Sequence, residues 1–126
     1  YRSRLPGPAP DWDRQVRRAL NCIHGYLFRE KLTVSWMREE CRINGHNFAS
    51  RFRHYVGMSP KEYIDYHRIE AAKLLLAKEE FVNMRVAAIS YELGFLTPSA
   101  FSRLFKRKTG LSPSRWRKDR GKAGKC

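Results

Sequence analysis

One phrase occurs twice in this chain. Residues 48–60 read FASRFRHYVGMSP, and residues 101–113 read FSRLFKRKTGLSP. Phe105 follows Phe52, Gly110 follows Gly57, Pro113 follows Pro60 and Trp116 follows Tyr63, each by 53 positions (105 − 52). Carried backwards, the same offset pairs Trp36 with Ile89, Asn44 with Thr97 and Phe48 with Phe101. A duplication of this kind constrains the fold strongly, because whatever packs around one phrase needs a counterpart around the other. Two copies are too few to stabilise a solenoid.

Apolar steps of three and four outline the helices. Trp12, Val16, Leu20, Ile23 and Leu27 mark one face of a first helix, from Asp11 to near Phe28. Thr33 is placed to cap a short helix reaching about Cys41. The Asn-Gly within RINGHN signals a turn. Asn44 is expected to cap the next helix, which carries Phe48, Phe52 and Tyr55 on one face and stops at Gly57. Ser59-Pro60-Lys61-Glu62 reads as a complete capping box. It opens a long helix over 59–77 with Tyr63, Ile64, Ala71, Ala72, Leu75 and Leu76 as apolar positions. Asn83 is expected to open a short helix with Val86, Ile89 and Leu93 inward. Thr97-Pro98 starts another with Phe101, Leu104 and Phe105 inward, and Ser112-Pro113 starts the last, with Trp116. No useful stretch alternates with period two, so the expected fold class is all-α. Residues 1–10 read as a linker and 11–118 as the domain, with unit one at 11–58, a connecting helix at 59–77 and unit two at 83–118. Residues 119–126 read as a disordered basic tail.

Charge narrows the choice of partner. The 126 residues include 26 Lys or Arg against 12 Asp or Glu, a net charge of +14, which points to a polyanion. Ten of the 26 lie in 101–125 (Arg103, Lys106, Arg107, Lys108, Arg115, Arg117, Lys118, Arg120, Lys122 and Lys125), opposed by Asp119 alone. Cys22, Cys41 and Cys126 form no Cys-x-x-Cys and no Cys/His ligand spacing. Cys22 and Cys41 read as small apolar fillers, and the usage fits a reducing, cytoplasmic compartment, with no metal and no cofactor expected. No apolar run approaches the roughly 20 residues of a membrane span, so no membrane partner is expected. The chain begins at Tyr1 rather than Met, and RLPGPAPDW is rich in proline, as expected of a linker beside a domain cut from a longer protein.

A short helix, a tight turn and a second helix form a helix-turn-helix, whose second helix fits the major groove of DNA. Opposite the phenylalanines both copies carry small polar and basic residues and no acid: His46, Asn47, Ala49, Ser50 and Arg53 in the first, Ser99, Ser102, Arg103 and Lys106 in the second. An acid there would repel phosphate. Arg103 leads the base-contact candidates, since Arg bonds a guanine edge bidentately. Lys106, Arg107, Lys108 and Arg115 are the phosphate-contact candidates. Phe48, Phe52, Phe101, Phe105 and Trp116 fall at helical spacing and read as core rather than as base-stacking platforms. Arg51, at the edge of the buried face, is expected to lay its stem along the core rim.

These residues carry a resemblance. VAAISYELGFLTPSAFSRLFKRKTGLSPSRWR, GMSPKEYI and the Arg68-x3-Ala72-x2-Leu75-Leu76 spacing resemble the DNA-binding domain of AraC/XylS-type transcription regulators, over roughly residues 15–118. The resemblance implies an all-α domain of seven helices, with two helix-turn-helix units that insert recognition helices into successive major-groove segments. It implies double-stranded DNA as partner, RNA polymerase as a further partner, activation of transcription, and an N-terminal effector or dimerisation domain outside this chain. It assigns Arg68 a structural role. The chain departs from the family pattern at Ser90, where Ala is usual, at Met37 in the matching place of unit one, and at Arg42-Ile43 in place of Gly94-Phe95. Two other functions compete. A non-specific architectural protein would use the charge alone. A DNA-repair enzyme on this domain would need a Cys-rich metal site, and no such spacing is present, so no catalytic residue is expected.

Overall fold

The structure, a computed structural model, describes residues 1, 5–78 and 84–123, with the backbone alone for 120–123. The described residues form seven helices and no strand: α1 (Arg14–Tyr26), α2 (Val34–Glu40), α3 (Phe48–Val56), α4 (Pro60–Ala77), α5 (Val86–Glu92), α6 (Pro98–Thr109) and α7 (Pro113–Ala123). The chain divides into two compact units, Tyr1–His67 and Arg68–Cys126, and the division falls inside α4.

The duplication explains that position. Val16, Ala19 and Ile23 of α1 are buried in unit one, and 53 positions later (69 − 16) Ile69, Ala72 and Leu76 of α4 are buried in unit two. The start of α4, capped by Ser59, matches the start of α7, capped by Ser112: each serine Oγ accepts a hydrogen bond from the amide three residues on, Glu62 or Arg115, at 3.2 Å. The long helix that joins the two units is therefore both the last element of one copy and the first of the next.

Local chemistry sets the remaining ends. Thr33 and Thr97 cap α2 and α6 by accepting from the amides of Trp36 and Ala100, both at 3.1 Å. Gly57 and Gly110 stop α3 and α6 with φ of 95° and 86°, a left-handed conformation that costs glycine nothing. Their amides bond Arg53 and Lys106 carbonyls, each at 2.8 Å. Four expectations are corrected. α1 begins at Arg14 behind an Asp13 cap, with Trp12 outside it. The capping box at Ser59 is half formed, because the Glu62 carboxylate is taken by Arg53. α7 runs on to Ala123, so residues 119–123 are helix rather than tail. Tyr1 and Leu5, placed in a free linker, pack on the core of unit one, and Tyr1 Oη hydrogen-bonds His67 Nδ1 at 2.7 Å. The proposed Asn83 start lies outside the described residues, as does Cys126; α5 begins after Arg85, which makes no side-chain cap.

The turn between the paired helices holds the main departure from a uniform offset. Ile43 N–H bonds Arg38 C=O at 2.8 Å, and Phe95 N–H bonds Ser90 C=O at 3.1 Å. Arg42 and Gly94 precede them at positive φ, 53° and 92°. The matching pairs ahead of the turn are therefore Met37 with Ile89 and Ile43 with Phe95, 52 apart (89 − 37), not Trp36 with Ile89. Unit one has one residue fewer between the turn and its first phenylalanine. Asn44 is consequently not the cap. Gly45 and Asn47 both take positive φ (94° and 66°), which keeps them out of the helix, and α3 starts only at Phe48. Arg38 Nη2 donates to Gly45 C=O at 3.0 Å and fastens this loop.

Each unit is centred on its phenylalanine pair. In unit one Phe48, Phe52 and Tyr63 follow each other edge to face, with centroids 5.9 and 6.0 Å apart. In unit two the series is Phe95, Phe101, Phe105 and Trp116, with spacings of 5.0, 5.7 and 5.7 Å. The four helix phenylalanines are buried, as their spacing predicts. Trp116 is half-buried and Tyr55 reaches solvent at the rim, its ring 5.7 Å from Trp12. Arg68 is buried with its guanidinium over the Phe95 ring, in keeping with a structural role. His24 hydrogen-bonds the Tyr63 hydroxyl, and burial lowers the His24 pKa while it pushes Tyr63 up to about 12. Burial, then the neighbouring Cys41, pushes the Cys22 thiol up to about 12, the behaviour of a filler rather than a nucleophile.

Candidate nucleic-acid interface

In unit two the packing that buries Phe101, Leu104 and Phe105 turns the other side of α6 to solvent. Ser99, Arg103, Lys106, Arg107 and Lys108 are exposed and Ser102 is half-buried. α6 contains no acidic residue, and among the described residues Arg103, Lys106, Arg107 and Lys108 form no ion pair. Arg115 pairs with Asp119 one turn along α7 at 3.3 Å, an exposed contact that phosphate can displace. Arg117 leaves the basic cluster: its Nη1 donates to Met84 C=O at 2.6 Å and closes the start of α5.

Unit one is built differently. Ala49, Ser50 and Arg53 are exposed on α3, whereas His46 and Asn47 are exposed in the turn ahead of it. Arg53 Nη2 meets Glu62 Oε1 at 2.6 Å. The positions 53 further on (106 − 53) hold Lys106 and Arg115, two cations. Where unit one closes an ion pair, unit two leaves positive charge. Arg51 turns back to α1, with Nη1 3.1 Å from Asp13 Oδ2 and Nη2 2.8 Å from Gln15 Oε1. Its matching residue, Leu104, is buried.

A second basic stripe escaped the sequence reading. Arg14, Arg17 and Arg18 of α1 line an open groove with Pro8, Pro10 and Asn21. Their spacing of three and four, opposite Val16 and Leu20, was the available signal. Among the described residues no group of three or more His, Cys, Asp or Glu could hold a metal ion, and no helix is long and apolar enough to cross a membrane.

Two helix pairs, each with a second helix that buries its phenylalanines and exposes a small, polar and basic face, define a double helix-turn-helix protein. The family model described as helix-turn-helix domain matches residues 39–119. A putative AraC-like transcription regulator of Streptomyces lividans is 32% identical over 91% of this chain and 38% of its own length. The arabinose operon regulatory protein of Escherichia coli is 31% identical over 86% of this chain and 36% of its own. The C-terminal domain of AraT, a response regulator from Geobacillus stearothermophilus, has the same fold: TM-score 0.75 at 24% identity, over 86% of this chain and 88% of that one. The chain belongs to the AraC-type family of helix-turn-helix transcription regulators and carries its sequence-specific DNA-binding domain. It spans little more than a third of the length of these curated relatives.

Proposed function

We propose that α3 and α6 enter successive major-groove segments of one duplex, so that a single chain reads an asymmetric site, and that a longer protein uses this to regulate transcription. The observation that carries the reading is α6, with its phenylalanines buried and an exposed, acid-free face of Ser99, Arg103, Lys106 and Arg107. In this reading Ser99, Ser102 and Arg103 face bases from unit two, Arg103 most specifically. His46, Asn47, Ala49, Ser50 and Arg53 face them from unit one, the first two from the turn and Arg53 after release from Glu62. Lys106, Arg107, Lys108 and Arg115 hold phosphates and set the register. The domain at 11–118 with the extended α7 binds and does not catalyse. RNA polymerase contact, an N-terminal effector or dimerisation domain, an activating role and a cytoplasmic location belong to the same proposal.

Selecting bound sites from a random DNA pool tests it. The expected outcome is one asymmetric consensus of about 15–20 base pairs, two major-groove segments about 10 base pairs apart. Arg103→Ala should relax preference at one position, in one half, at a cost of about 1–3 kcal/mol. Binding of all sequences alike would favour the architectural alternative.

A further inference from the structure

Leu96 is 68% exposed, the most exposed of the large hydrophobic residues of the described chain. It lies directly before Thr97, the cap of α6. An apolar residue there ordinarily packs back on the first turn of the helix. Here its neighbour Phe95 does that, buried with its ring 5.0 Å from Phe101, so Leu96 has no packing role of its own. The residues that follow continue the theme. Pro98 at the first helical position has no N–H to donate, and Ala100 is half-buried with a methyl side chain. In unit one the same stretch is polar: after Ile43, the buried counterpart of Phe95, come Asn44, Gly45, His46 and Asn47, all exposed. The two copies therefore present different chemistry at the end of the helix that meets base edges first.

We propose that unit two recognises thymine C5-methyl groups through Leu96, supported by Ala100, whereas unit one reads hydrogen-bonding edges. This rests on the DNA reading above. The cations on the same helix, Arg103, Lys106, Arg107 and Lys108, exposed and unopposed on α6 by any acid, suit a polyanion. The C5-methyl of thymine is the apolar group that a major groove offers.

The test replaces thymine by uracil, which lacks that methyl and keeps every hydrogen-bonding group. The preferred site is first selected with the full chain; failure to select any site would defeat the DNA reading itself and not this inference. Each thymine of each half is then replaced singly. At one or two positions of the unit-two half, uracil should weaken binding about fourfold per methyl lost. Leu96→Asn, which copies the unit-one residue, should abolish the thymine–uracil difference there while binding the uracil site as the parent does. Circular dichroism melts of the variant should match those of the parent, since the substitution is exposed. Indifference of the parent to uracil throughout that half would overturn the proposal. So would undiminished discrimination in Leu96→Asn, and a loss of transcriptional output alone in that variant would place Leu96 against a protein instead.

Discussion

Positions 51 and 104 are the same place in the two copies, and they are filled by opposite means. Leu104 buries a side chain in unit two, while Arg51 in unit one reaches the cap of α1 and bonds Asp13 and Gln15. Burial pushes the Asp13 carboxyl up, but hydrogen bonds from the Val16 and Gln15 amides and the charge of Arg51 outweigh it and leave the pKa lowered. A lowered carboxylate contributes stability above its unfolded value, near 3.9, and loses it as pH falls through the folded one. Arg51→Ala should therefore cost about 1 kcal/mol at neutral pH, given a pair about a third exposed, and less below the Asp13 transition. Arg51→Leu should recover part of the loss by burying apolar area as Leu104 does. Melts of both variants at neutral and acid pH check the stability. Base preference measured on single-base site variants should stay that of the parent, and a changed preference would put Arg51 at the DNA.

At the scale of elements, the phenylalanine pair decides whether a reading helix is held at all. Phe105→Ala removes a ring that touches both Phe101 and Trp116, and should cost about 3–5 kcal/mol, a large share of a small domain's stability. The variant should melt earlier and lose affinity without a change in which bases it prefers. A variant that melts like the parent yet binds poorly would make Phe105 a DNA contact rather than core. Such core positions were legible from sequence, as were the caps at Thr33, Ser59 and Thr97 and the stops at Gly57 and Gly110, because each depends on residues within a turn of one another. The start of α3 was not. Asn44-Gly45 does mark a turn, but the left-handed φ of Gly45 and Asn47 and the grip of Arg38 on Gly45 reflect how the loop fits its unit. The sharing of α4 between copies was hidden for a related reason. The offset is plain in the Phe-x-x-x-Phe, Gly and Ser-Pro positions of the repeated phrase, while the copy of α1 inside α4 is written only in common apolar residues, Ile69, Ala72 and Leu76. Of the candidate site, the face of α6 was readable from its period. The ties of Arg53 to Glu62 and Arg117 to Met84 were not, since partners 9 and 33 residues away leave no local pattern.

For the molecule as a whole, the surplus of charge sets how binding responds to salt. A net +14 on 126 residues attracts any nucleic acid, so affinity alone cannot distinguish a reader from a packer. The distribution can. Unit one neutralises Arg53 with Glu62 and Arg51 with Asp13, whereas α6 leaves Lys106, Arg107 and Lys108 exposed with no acid on the helix. Backbone contacts should therefore be concentrated in unit two. Each phosphate neutralised on B-DNA adds about −0.9 to the slope of log K against log salt. Lys106→Ala and Arg107→Ala should each flatten that slope by about one unit and weaken selected and random DNA alike. Glu62→Gln should instead tighten binding to both DNAs without changing the slope, because Arg53 leaves its Glu62 partner to face the bases in the parent and has no partner to leave in the variant. Titrations of the three variants at several salt concentrations, on a selected site and on random DNA, measure all of this directly. Unchanged slopes for Lys106→Ala and Arg107→Ala would remove both from the backbone contacts. A steeper slope for Glu62→Gln would mean that Arg53 stays with Glu62 in the parent's complex and turns to phosphate only when that partner is removed.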